Sequence, residues 1–310
     1  METDKNNVLY QKIGVTINSL ALSFLSKNEG ERIASITQYQ EELGVSRGTI
    51  QNALNYLKDV HAIQLVSRGH LGTYIEHIDY IKLQECSLVR GLMGIMPFPY
   101  SSAYEGFATA LYEQLKNFRF NMAYARGARG RMELVESGAY QFAVCSQYSA
   151  QHEIENGRNI EIALNFGAGS FLSRHVLLLK DTEKNGLEDG MRVAYDKESL
   201  DQSQITKSVV GKRKVELVNI RTQQTVNALQ DGVIDAGVWN YDDILENHYM
   251  DNLKVVFLQK EEYEESFSAA VLVVKRNSRY LQQILEKNIS VKETLKIQDE
   301  VRKGKRRSIC

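Results

Sequence analysis

Along residues 46–57 the apolar positions Ile50, Ala53, Leu54 and Leu57 recur at spacings of three and four, the period of a helix with one buried face. Ser46 stands where such a helix is capped, and Arg47, Gly48, Thr49, Gln51, Asn52 and Asn55 fall on or near the open side. Upstream, Ile36 precedes Thr37, which with Gln40 reads as the capping-box start of a shorter helix. Leu43 and Val45 supply apolar groups around Gly44, the expected left-handed residue between the helices. The rhythm then changes to period two. Residues 63–66 read as a strand, Gly69 and Gly72 bracket a turn, and Thr73, Tyr74 and Ile75 return with alternating faces, which places Arg68 and His70 at a hairpin tip.

Two short helices, a tight turn and a hairpin in this order make a winged helix-turn-helix. Arg, Thr, Gln and Asn are the side chains that bond base edges or phosphates in a major groove, and a cation at the hairpin tip reaches phosphate or a minor groove. The DNA-contact candidates are therefore Ser46, Arg47, Thr49, Gln51 and Asn52, with Arg68 and His70 on the wing. The stretches EELGVSRGTIQNAL and RGHLGTYI resemble the GntR-type winged helix. They depart from it at Ala34-Ser35, where a proline is usual, at Gln51, which replaces a customary arginine, and at Gly69-His70-Leu71-Gly72, which replaces Gly-x-Gly.

Charge constrains how such a module binds. Residues 1–78 carry seven basic and eight acidic side chains, a net of minus one, so non-specific affinity for phosphate is expected to be poor. Specific binding then calls for two modules on one operator, that is, a homodimer. Leu9, Ile13, Ile17, Leu20 and Phe24 form a stripe that either covers the module's own core or offers the dimer surface.

After residues 79–87, taken as a junction, strands and helices alternate: LVRGLMGIM, FRFNMAYA and YQFAVCS as strands around the helices YSSAYEGFATALYEQL and RGRMELVESG. The grammar repeats with MRVAY, KVELVNI and VIDAGVWN around SLDQSQITKSVV and TQQTVNALQDG. Aligning Gly138 with Gly232 sets Val144 on Val238, Cys145 on Trp239 and Ser146 on Asn240. Two such lobes, joined by crossings near LNFGAGSFLSRHVLLLK and from VVFLQ to AAVLVVK, describe a two-lobed periplasmic-binding-protein-like domain, with YLQQILEK as a last helix on the first lobe. The expected architecture is α/β overall. Residues 1–80 form the winged helix-turn-helix and 88–300 the effector domain, with lobe I about 88–168 and 270–300 and lobe II about 172–265.

In open parallel sheets ligands gather beyond the carboxyl ends of the strands, near helix N-termini. That rule selects Tyr100, Ser101 and Ser102 after the first strand, Arg126 and Gly127 after the second and Ser146 after the third. In the other lobe it selects Asp196, Thr222, Gln223, Trp239 and Asn240. Arg126, Arg129, Arg131 and Arg174 add cationic forks, so the expected effector is a small anion. An enzyme with Cys145 as nucleophile and His152 or His175 as base is the competing class, though FAVCS reads as a buried strand. A ligand-binding protein whose winged helix only contacts other proteins is a third.

Composition narrows the rest. The 310 residues exceed one ordinary domain, and 38 basic against 39 acidic residues exclude a polybasic binder. No apolar run reaches the roughly 18 residues of a membrane span, the start METDKNN is no signal peptide, and a cytoplasmic protein is expected. Cys86, Cys145 and Cys310 lack Cys-x-x-Cys spacing, so no metal site, disulfide framework or cofactor is called. The only prolines, Pro97 and Pro99, end the first strand at a rigid corner.

MPFPYSSAYEG, ARGARGRMELVESGAYQFAV, DAGVWN and SAAVLVVKR together resemble the YhfZ family of bacterial regulators, over nearly the whole chain. The resemblance implies a winged helix ahead of a periplasmic-binding-like domain; with the residues above, the expected protein is a ligand-responsive transcription factor in which effector closure changes the spacing of two DNA-reading heads. The matching positions include Pro97, Pro99, Tyr100, Tyr104, Glu105, Gly106, Arg126, Gly127, Ala128, Arg131, Ser146, Trp239 and Asn240, and no catalytic role comes with them. The C-terminal RKGKRRSIC reads as a frayed basic tail.

Overall fold

A computed structural model of the chain describes residues 2–87, 91–249, 252–259 and 263–309, with side chains described from residue 12 onward. Leu9 of the apolar stripe, the first three residues of LVRGLMGIM and Cys310 lie outside that description. The chain divides into two compact units, one of Met1–Met93, Gln114–Asn121 and Asn277–Asn288, the other of Gly94–Glu113, Met122–Arg276 and Ile289–Cys310.

The first unit begins with α1 (Glu2–Leu25), α2 (Ile36–Leu43) and α3 (Arg47–Asp59). Ile50, Ala53, Leu54 and Leu57 of α3 are all buried, as their spacing requires. Gly44 holds the turn at φ 65°, and Ser46 caps α3 by accepting from the Thr49 N–H. Ser46→Ala should lower stability by about 1 kcal/mol, a typical cap contribution, in chemical denaturation followed by helical circular dichroism. The start of α2 differs from expectation. Ser35, not Thr37, is its cap, in a capping box with Gln38. The wing follows as β1 (Ile63–Ser67) and β2 (Thr73–Ile78), antiparallel. Residues 79–87 are no bare junction but carry α4 (Tyr80–Ser87), which packs on α1. The Asn18 side chain donates to the Ser87 carbonyl there at 2.9 Å.

The chain continues through β3 (Leu92–Met96), α5 (Ser102–Gln114), β4 (Phe120–Tyr124), α6 (Ala128–Glu136), β5 (Phe142–Ser146), α7 (Gln147–Glu155) and β6 (Ile160–Asn165). It crosses to β7 (His175–Leu179), β8 (Arg192–Tyr195), α8 (Leu200–Val210), β9 (Glu216–Asn219), α9 (Thr225–Gln230), β10 (Ala236–Asn240), α10 (Tyr241–Glu246) and β11 (Lys254–Phe257). It returns by β12 (Ala270–Lys275), α11 (Arg279–Asn288) and α12 (Val291–Arg302).

Two five-stranded sheets result, ordered β4-β3-β5-β12-β6 and β9-β8-β10-β7-β11. The orders are the same once β12 is matched with β7, the strand that each lobe receives through a crossing and pairs antiparallel. β5 and β10 are equivalent third strands. Ser146 and Asn240 at their ends both cap the next helix, which gives the letter-level echo a structural meaning. The crossings between lobes bond to each other. Ser268 accepts from the Gly169 N–H through its hydroxyl at 3.1 Å and from the Phe171 N–H through its carbonyl at 2.8 Å, and the Ala270 N–H donates to the Ser170 hydroxyl at 2.8 Å.

Two expectations about the C-terminus fail. Helix α11, expected on the first lobe, belongs to the winged-helix unit and packs on α1: Tyr280 donates to Glu42, and Lys287 donates to the Lys27 carbonyl. The helix on the first lobe is α12, whose Gln298 Nε2 donates to the carbonyls of Ala103 and Ser170, both at 2.8 Å. Nor is the basic tail frayed. Arg306 pairs with Glu113 and Glu300, and the Ile309 N–H donates to Thr109 Oγ1 at 3.0 Å.

Candidate functional site

Two surfaces carry chemistry. On the winged-helix unit, Arg47, Gln51, Asn52 and Asn55 are exposed along α3. Ser46 and Thr49 are committed to the cap and to each other, 2.9 Å apart. Arg68 lies over the Tyr74 ring, 4.4 Å from its centroid, which anchors the wing tip, and His70 beside it is exposed.

Arg32 joins this face although it precedes α2. Its backbone bridges to Tyr74, and its guanidinium crosses the wing at Gly72, where a Cβ would lie 2.6 Å from Nε. Arg32, Gln51, Asn52, Asn55, Lys58 and Thr73 line a hollow of about 640 Å³ between α3 and the wing. Among the described residues none of Arg32, Arg47, Lys58 or Arg68 forms an ion pair, whereas Glu29 is held by His77 and Glu31 by Asn28. Arg32 and Lys58 thus bring two such cations to the hollow beside α3.

The second surface is the cleft between the two lobes, a cavity of about 90 Å³. Tyr100, Arg126, Gly127, Thr222, Gln223, Trp239 and Asn240 line it as expected from strand ends. Other candidates are placed elsewhere. Ser101 is buried with no partner for its hydroxyl among the described residues, and Ser102 at the start of α5 donates from N–H and hydroxyl to Glu246 of the other lobe. Arg174 is exposed and stacks 5.3 Å over the Phe257 ring, and Arg129 pairs with Glu153.

Ser146 reaches across the cleft. Its hydroxyl donates to Asp201 Oδ1 at 2.8 Å, and that of Ser149 to the same oxygen at 2.7 Å. Arg126 likewise pairs with Asp196 across the cleft at 2.7 Å. On the rim Arg302 meets Asp242 at 2.9 Å. Carboxylates of the second lobe thus occupy the starts of α5 and α7 and the arginine that precedes α6. Asp201 has no counterpart among the sequence candidates, since its partners lie more than 50 residues away.

Arg131, in the middle of α6, points into the cleft floor. It is 3% exposed, donates to the carbonyls of Val144 and Ala125 at 3.2 and 2.8 Å, and forms no ion pair among the described residues. A buried guanidinium without a carboxylate has lost water and gained no counter-charge. Asn240, 4% exposed, accepts the Asp242 N–H through its carbonyl oxygen and, among the described residues, leaves Nδ2 without an acceptor. Tyr100 and Trp239 stack across the gap with centroids 6.4 Å apart and planes at 20°.

Burial works against the Asp196 carboxyl, but the Thr222 N–H and hydroxyl, the Glu198 N–H and the Arg126 charge outweigh it and hold its pKa below the ordinary 3.8. Such a carboxylate contributes stability that is complete above its unfolded pKa and lost as pH falls through its folded one. The difference in melting temperature between wild type and Asp196→Asn should therefore hold steady from neutrality to about pH 4 and close below it. A difference that persists in strong acid would mean that the Asp196 charge does not latch the lobes.

The proposed catalytic pairing finds no support in the geometry. Cys145 is fully buried, and burial pushes its thiol up to about 12, away from the thiolate a nucleophile needs. Burial pushes His175 down to about 3, so it stays neutral.

Residues 79–308 match the family described as YhfZ C-terminal domain. The chain belongs to the YhfZ family. Its residues 28–75 match a helix-turn-helix domain. YhfZ of Escherichia coli strain K12 is 30% identical over 230 residues, which cover 74% of this chain and 75% of that protein. The crystal structure of YhfZ from Shigella flexneri aligns with a TM-score of 0.59 at 27% identity, covering 71% of this chain and 93% of that one. The aliphatic sulphonate binding protein SsuA of Escherichia coli aligns with a TM-score of 0.51 at 11% identity over 69% of this chain and 70% of its own, a likeness of fold alone. This member of the YhfZ family thus combines a helix-turn-helix domain with a periplasmic-binding-protein fold, the architecture of a ligand-responsive DNA-binding regulator. No described helix is long and apolar enough to cross a membrane.

Proposed function

We propose that the protein is a cytoplasmic, homodimeric bacterial transcriptional regulator in which a GntR-like winged helix binds an operator under control of a small effector carrying an anionic group. The observation that carries the effector half is Arg131, whose buried charge in the cleft lacks a carboxylate partner among the described residues. On the DNA half, the exposed side chains of α3 and the free cations around it supply both kinds of contact an operator needs. Gln51, Asn52 and Asn55 read base edges, while Arg32, Arg47, Lys58 and Arg68 take phosphates. Ser46 and Thr49 position the N-terminus of α3 against the backbone, and His70 follows the wing. Within the cleft Tyr100, Gly127, Thr222, Gln223 and Trp239 shape the ligand site around Arg131, while Arg126 and Ser146 hold the lobes.

Effector binding shifts DNA affinity only by the free energy with which the ligand prefers one lobe arrangement. The test is a mobility shift on the DNA upstream of the protein's own gene over a salt series, with sedimentation velocity for the dimer. Saturable binding by a dimer, weakening steeply with salt, is the expected result. A folded protein that binds no DNA at low salt would overturn the reading.

A further inference from the structure

Two opposite charges line the cleft without touching each other. Arg131 uses Nε and one amino group on carbonyl oxygens and leaves the other amino group with no acceptor among the described residues. Asp201 takes both serine hydroxyls on Oδ1 and, among the described residues, leaves Oδ2 without a hydrogen bond. No ion pair joins the two. Arg126 and Asp196 cancel each other at 2.7 Å, and Glu198 is exposed. The charges that a bound ligand must answer are therefore one cation and one anion, with the Asn240 Nδ2 as a further buried donor.

This balance discriminates among ligand classes. A phosphate or other dianion meets a single unanswered arginine and is repelled by Asp201 and Glu198. A monoanion answers Arg131 but leaves the half-buried Asp201 carboxylate without a counter-charge, and an amine does the reverse. A molecule that carries both charges with no net charge answers each. Arginine's planar fork suits a carboxylate, and an ammonium with three donors suits the open carboxylate oxygen. The stacked Tyr100 and Trp239, with Phe171 and Leu172, supply an apolar wall for a side chain. We infer that the effector is an α-amino-acid zwitterion, its carboxylate held by Arg131 and Asn240 and its ammonium by Asp201. The assignment rests on the cleft being the effector site. Burial pushes the Asp201 carboxyl up despite the Ser149 and Ser146 hydroxyls and the Arg131 charge, and an ammonium bound beside it would favour its charged form.

Calorimetric titration of the full-length protein tests this, using the twenty proteinogenic L-amino acids. For the best apolar binder the matched acid and amine are added, such as 4-methylpentanoate and isopentylamine for L-leucine, together with inorganic phosphate. The expected result is that at least one amino acid binds, with its matched acid and amine each at least about tenfold weaker. Asp201→Asn keeps an oxygen acceptor for both serines. It should weaken the amino acid by about tenfold or more and strengthen the matched acid, which no longer faces a carboxylate. Equal binding of the acid or of phosphate, an unchanged amino-acid affinity in Asp201→Asn, or no binding by any of the twenty would overturn the inference. Specific DNA binding measured on the same preparation separates the two claims: if it persists while these outcomes occur, only the ligand class is wrong.

Discussion

Replacing Arg47 and Gln51 together by alanine is expected to lower operator affinity by about a hundredfold and to leave the melting temperature unchanged. Both side chains are exposed on α3, and neither forms an ion pair among the described residues, so their removal takes no support from the fold. Each base or phosphate contact of this kind contributes about 1–3 kcal/mol of binding, and two at about 1.4 kcal/mol each give the factor of a hundred. The two halves of the variant should behave differently. Gln51→Ala alone should relax sequence preference, while Arg47→Ala should weaken binding on all sequences and flatten the salt dependence. Arg32→Ala should resemble Arg47→Ala, because its guanidinium lies over the wing at Gly72 rather than against another side chain. Fluorescence anisotropy on matched and mutated operators reads these differences directly, and a double variant with wild-type affinity would remove α3 from the DNA interface.

Gly106→Val is expected to lower stability by about 3 kcal/mol or more, which for a unit of this size is a fall in melting temperature of roughly 10 °C. A Cβ on Gly106 would stand 2.8 Å from the Gln298 Cα, 3.0 Å from its carbonyl oxygen and 3.2 Å from the Val301 Cβ. Backbone meets backbone there, so no flexible side chain can swing away. Separating α5 from α12 would also strain the two bonds from Gln298 to Ala103 and Ser170, and a buried polar group left without partners costs about 1–3 kcal/mol. Because Ser170 lies on a crossing between the lobes, the variant should loosen the cleft as well. An unchanged melting temperature would mean that α12 is not held to the first lobe as described.

Much of this was legible in the chain because two periods do not overlap. The 3.6-residue stripe of α3, the left-handed Gly44 and the two-residue alternation of the wing each leave one reading. The start of α2 leaves two, since Ser35 with Gln38 and Thr37 with Gln40 are capping-box signatures two residues apart, and only the packed turn chooses Ser35. Helix α12 was hidden for another reason: its buried face includes Thr294 and Gln298, so the apolar stripe is broken by polar side chains whose partners lie far along the chain. Helix α11 has a clear stripe, but a stripe states that a face is covered, not by what. The cleft divides the same way. Strand ends located Arg126, Thr222, Trp239 and Asn240, whereas Asp201 depends on contacts between lobes, and the buried state of Arg131 on the carbonyls of Val144 and Ala125 in its own lobe, that no local pattern encodes. The net negative charge of the first 78 residues is a sum over sequence and does not say that Arg32 and Lys58 share the hollow beside α3.

The central claim is that the state of the cleft sets affinity for DNA, and releasing the latch tests it without a known ligand. Asp196→Asn with Glu246→Gln weakens two of the contacts across the cleft, at Arg126 and at Ser102, while leaving the winged-helix unit untouched. Operator affinity of this variant, measured by anisotropy beside wild type with small-angle scattering to report the separation of the lobes, should differ by fivefold or more, the range of a coupling free energy of about 1–3 kcal/mol. Identical affinities in a variant whose lobes have opened would contradict the claim.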